Sequence, residues 1–137
     1  MIRTASQTVG PFYSIGLCRR HEHVLDAKGV ELTGQLFDGQ DEPIGDGMIE
    51  IWDRAARKWG RSGTDAEGRF SFRVARDATH VEAFVFARGL LRHQLTRIYL
   101  RDAPDDADPT QVARHEDGVL RFDIRMQGER ATLFFEH

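Results

Sequence analysis

Cysteine occurs once in these 137 residues, as Cys18, so no internal disulfide can staple the chain. A chain of this length buries a core without disulfides or a structural metal, and a lone thiol fits a reducing cytoplasm. Long apolar runs are missing too, and none nears the roughly 18 residues that argue for a membrane span. The opening MIRTASQTVGPFY has no apolar stretch of the secretory kind, so no leader is expected. Charge is close to balanced, at −3 with a pI near 6.1, which excludes the basic footprint of a nucleic-acid binder. Helical periodicity is nearly absent. So are a Gly-rich phosphate loop, a nucleophile motif and the cysteine–histidine spacing of a zinc site. Tyrosine appears only twice, at Tyr13 and Tyr99.

What the chain does have is alternation. A hydrophobic content of 40% and a charged content of 30% are those of a globular protein. Residues 30–37, VELTGQLF, read as a strand with Leu32 and Leu36 on one face. Asp38 to Pro43 is a polar turn, and Gly47–Trp52 a second strand. Arg54–Trp59 reads as a short basic connector. After a turn at Asp65–Gly68, Phe70, Phe72 and Val74 alternate with Arg69, Ser71 and Arg73. Thr79–Arg101 reads as two strands joined at a Gly-containing turn. Its first half sets Val81, Ala83, Val85 and Ala87 on one face and His80, Glu82, Phe84, Phe86 and Arg88 on the other. Val81 to Ala87, apolar on both faces apart from Glu82, is expected to be a central strand covered on both sides. Asp102–Asp117 is an acidic surface loop holding two of the four prolines, with room for a helical turn after Pro109. Val119–Met126 alternates again, Leu120, Phe122, Ile124 and Met126 inward. A hairpin turn at 127–130 and a short strand Ala131–Phe135 close the chain. Seven short strands with frequent turn signals predict one domain, an all-β antiparallel β-sandwich over residues 30–137. Residues 1–29 lack periodicity and read as an extended arm.

Chemistry is harder to find. His80-x-Glu82 puts an imidazole and a carboxylate on one strand face, roughly 6–7 Å apart. Two donors fall short of the three or four that a metal site uses, and a solvated pair is the commoner outcome. His21-x-His23 is a second such pair, in the polar arm. Arg88, Arg92, His93, Arg97 and Arg101 form a basic strip, read either as a solvated strand edge or as a patch that receives a carboxylate.

Several longer pieces, in order along nearly the whole chain, carry more. They are Ser6-Gln7-Thr8-Val9-Gly10-Pro11-Phe12, Gly34–Trp52 with its Glu50-Ile51-Trp52 end, Phe86-Ala87-Arg88-Gly89, Thr96-Arg97-Ile98-Tyr99, 121–129 and Phe134-Phe135. In these pieces the chain resembles the intradiol ring-cleaving dioxygenases, nearest to the α subunits of their protocatechuate-cleaving branch. The resemblance implies a β-sandwich that pairs with a β subunit. That β subunit holds a non-haem ferric ion, Fe(III), through two tyrosines and two histidines. With O₂ it opens protocatechuate to 3-carboxy-cis,cis-muconate in aromatic catabolism.

By that resemblance this chain follows the α pattern. His80 matches the first histidine-ligand position, but the second falls on Glu82. The segments that bear the β subunit's tyrosines fall between Trp52 and Gly60 and between Val74 and Thr79, where this chain is shortened and has no tyrosine. No ferric ion is therefore expected in this chain. The contributions of α to the shared site fall on Thr8, Gly10 and Pro11, as a lip over the β subunit's pocket. Arg88 adds positive potential for the carboxylate of protocatechuate. Two other readings stand beside this one: a homo-oligomeric, transthyretin-like binding module, and a stand-alone enzyme with an altered metal site on His80 and Glu82.

Overall fold

Side chains that alternate between burial and exposure place the strands. The computed structural model describes residues 4–5 and 16–136. Among these, nine strands form two sheets. The first sheet contains β1 (Val30–Phe37), β4 (Arg69–Val74), β7 (Arg114–Glu116), β8 (Val119–Arg121) and β9 (Ile124–Arg125). Its order is β4-β1-β8-β7, with β9 also pairing β1. The second contains β2 (Met48–Asp53), β3 (Lys58–Gly63), β5 (His80–Phe86) and β6 (Gln94–Tyr99), in the order β3-β2-β5-β6. Pairing is antiparallel except where β1 meets β8 and β9.

The inner faces of both sheets share one core. Leu32, Leu36, Phe70, Phe72 and Val74 of the first sheet meet Ile49, Ile51, Val81, Ala83, Val85 and Ile98 of the second. All of these are 2% exposed or less, and this burial is the main force holding the sandwich closed. β5 is central, as expected, but it is sealed on one face and not on both. Its other face is only half-buried: His80, Glu82, Phe84 and Phe86 look out of the sandwich. Arm residues 16–29 end against the core. Leu25 is buried, Val24 bridges to Arg73, and Glu22 O accepts from Arg61 N at 2.9 Å.

Four further expectations need correction. The connector Arg54–Trp59 gives way to a turn closed at Arg57, with φ of 56°, and to β3 beginning at Lys58. β3 escaped notice because it is an edge strand in which Lys58 is exposed and the inward positions are Gly60 and Ser62, with no apolar alternation to read. Val119–Met126 is not one strand but two, β8 and β9. Asp123 Oδ1 accepts from Gln35 N at 3.0 Å, replacing a ladder bond at the break, although Leu120, Phe122 and Ile124 remain inward. The acidic loop contains β7 as well as the one helical turn, which starts at Pro109 with Asp108 as its cap. Ala131–Phe135 forms no strand, only a bridge between Phe135 and Leu95, because Thr132 is spent on Arg125.

Candidate functional site

The outward face of β3-β2-β5-β6 is built from rows of cross-strand neighbours. Register sets Trp59, Trp52, Glu82 and Arg97 in one row and Arg61, Glu50 and Phe84 in the next. Charges in these rows are paired. Glu82, whose side chain is 17% exposed, accepts from Arg54 Nη2 with both oxygens at 3.2 and 3.3 Å, and Arg97 Nη2 lies 3.5 Å from Oε1. Glu50 accepts from Arg61 Nε at 2.8 Å, and the Arg61 guanidinium stacks over Trp59. Apart from Arg97, these residues line a shallow depression of about 460 Å³.

His80 and Glu82 do share a face, as their spacing implies, but they do not make a metal donor set. Glu82 is committed to two arginines, while Nδ1 of His80 lies 3.1 Å from Thr79 Oγ1 and its ring packs near Tyr99. Among the described residues no group of three or more His, Cys, Asp or Glu side chains is placed to hold an ion. The described residues therefore do not fit a ferric centre. His21 and His23 are not a strand pair either. They sit in a turn, with His21 at φ 67° and His23 O accepting from Arg73 N. Burial pushes the Cys18 thiol above its ordinary value, with Arg61 pulling it part of the way back.

The basic strip comes apart in three dimensions. Arg97 belongs to Glu82, and Arg101 Nε donates to Ala78 O. His93 packs against Phe84 and Phe86. Arg88 is different. It follows the end of β5, where Gly89 turns the chain with a φ of 85° that disfavours any other residue. Its side chain is 68% exposed and is paired with Asp46, Nε donating to Oδ2 at 2.8 Å and Nη2 donating to the same oxygen. Arg88 and Asp46 line an open depression of about 420 Å³ together with Pro43, Ile44 and Gly45.

Asp46 is the residue that sequence reasoning missed. The signal was in the register: Met48 pairs with Phe86, and continuing that ladder outward sets Asp46 opposite Arg88. Thr8, Gly10 and Pro11 lie outside the described residues.

Comparison with known proteins now adds to this geometry. No family model matches the chain. The "Protocatechuate 3,4-dioxygenase alpha chain" of Burkholderia cepacia is 34% identical over 191 residues, covering 98% of this chain and 97% of that one. The chain belongs to the protocatechuate 3,4-dioxygenase alpha-chain family. A second alpha chain, from Pseudomonas putida, is 28% identical over 192 residues, covering 97% of this chain and 96% of that one. Among solved structures, the dioxygenase domain of a dioxygenase–carbohydrate-binding protein fusion from Streptomyces sp. SirexAA-E aligns with a TM-score of 0.58. It is 21% identical, covers 77% of this chain and 87% of its own, and shows the shared fold. No helix among the described residues is long and apolar enough to cross a membrane.

Proposed function

We propose that this chain is the alpha subunit of a protocatechuate 3,4-dioxygenase, and that it completes the substrate pocket of an iron-containing beta subunit. The full-length match to an alpha chain at 34% identity carries this reading. In it, the beta subunit supplies the non-haem ferric ion and the O₂ chemistry, and opens protocatechuate to 3-carboxy-cis,cis-muconate in the cytoplasm. This chain supplies no metal ligand, in keeping with a Glu82 carboxylate already held by Arg54 and Arg97.

What the chain adds is position and charge. Arg88 stands exposed at the end of β5 and faces the carboxylate of protocatechuate, an anion that guanidinium binds through paired N–H groups. Thr8, Gly10 and Pro11, on the arm of residues 1–29, form the lip of the pocket, while residues 30–137 are the sandwich that carries Arg88. Both contributions act by orienting the substrate and balancing its charge rather than by making or breaking bonds. Size analysis of the chain with and without a beta subunit tests the reading. A mixed complex is expected. A homo-oligomer that ignores the beta subunit would overturn it.

A further inference from the structure

We infer that Asp46 is a positioning residue for Arg88, holding one edge of the guanidinium so that the other edge faces the substrate carboxylate. This inference rests on the reading of Arg88 given above. An arginine offers two forks: Nε with Nη2 along its side, and Nη1 with Nη2 at its end. Among the described residues Arg88 donates only to Asp46 Oδ2, through Nε and Nη2. The side fork is thus occupied, and the end fork is left for a second carboxylate.

The two partners are not equally mobile. Asp46 sits on a pinned backbone. Ile44 N donates to Leu36 O at 2.9 Å, Gly47 N donates to Thr64 Oγ1 at 2.8 Å, and that hydroxyl donates in turn to Ile44 O at 2.7 Å. Gly47 packs so closely that a Cβ there would lie 2.5 Å from Leu36 Cδ2, which leaves this segment little room to shift. The Asp46 side chain is 27% exposed, that of Arg88 68%. The carboxylate is the fixed point, and the long arginine is the group that gains direction from it.

Measuring KM and kcat in the assembled alpha–beta complex, with protocatechuate and with catechol, which lacks the carboxylate, tests this. The variants are Asp46→Asn, Asp46→Glu, Arg88→Ala and the double variant Asp46→Asn/Arg88→Ala. Asp46→Asn is expected to raise KM for protocatechuate about two- to fivefold, the range of an exposed ion pair, with kcat and the catechol values unchanged. Asp46→Glu, which keeps the anion, restores most of the loss. In the Arg88→Ala background Asp46→Asn adds nothing. A fall in KM would overturn the inference, because Asp46 would then be competing with the substrate. Equal losses on both substrates, or an undiminished loss in the double variant, would make Asp46 merely structural. If Arg88→Ala lowers affinity while Asp46→Asn is silent, this inference fails alone. If Arg88→Ala is itself silent, the reading of Arg88 fails with it.

Discussion

Glu82 stands directly opposite Arg97 across the β5–β6 ladder, and Arg97 Nη2 reaches Glu82 Oε1 at 3.5 Å. Arg54 closes on the same carboxylate from the turn after β2. The position that the family resemblance gives to a histidine ligand is here the hub of an ion-pair cluster. Arg97 depends on it more than Arg54 does, since Arg97 is only 34% exposed and its Nε is buried with no hydrogen-bond partner among the described residues.

Glu82→Gln is therefore expected to destabilise the isolated chain. Removing the anion leaves a half-buried guanidinium without its charge partner, a loss of about 1 kcal/mol after allowance for solvent screening. Urea unfolding of the two proteins measures it. An unchanged midpoint would mean that the pair contributes nothing.

Arg88→Ala in the assembled complex is expected to raise KM for protocatechuate, with a smaller effect on catechol. Loss of a charge-assisted contact corresponds to about 1.5–3 kcal/mol of binding. Steady-state kinetics on both substrates check this, and equal losses on both would make Arg88 a structural residue.

Cys18 gives a pH prediction. Burial raises its thiol pKa from the ordinary 9.0, with Glu22 and Glu50 adding to the rise and Arg61 opposing it. The folded state thus holds the proton longer than the unfolded state. Its contribution is fully present below pH 9 and is lost as pH climbs through the raised value. Cys18→Ser is expected to flatten part of the stability decline between neutral and strongly alkaline pH. In the native wild type the thiol reacts slowly with an alkylating reagent near pH 8, and faster in denaturant. Equal rates in both would contradict the burial.

The sandwich was legible wherever a strand had one buried and one exposed face. Leu32 and Leu36, and Phe70, Phe72 and Val74, declared themselves by alternation and reached the core. Val81, Ala83 and Val85 reached it too, although their strand reads as apolar on both faces and is sealed on only one. β3 did not declare itself, because Lys58, Gly60 and Ser62 show no apolar pattern and an edge strand needs none. The break between β8 and β9 was hidden for another reason. A side chain from Asp123 replaces a backbone bond there while the in–out pattern continues unbroken. At the candidate site, composition found Arg88 but grouped it with arginines that serve other partners. Asp46, distant in sequence, became visible only once the β2–β5 register was known.

Co-expression with a beta subunit, followed by iron analysis and visible absorption of the purified complex, tests the central claim most directly. The account predicts a coloured, active alpha–beta complex whose iron follows the beta subunit, and no iron in this chain purified alone. A colourless chain that does not bind the beta subunit, or a chain that holds iron by itself, would contradict it.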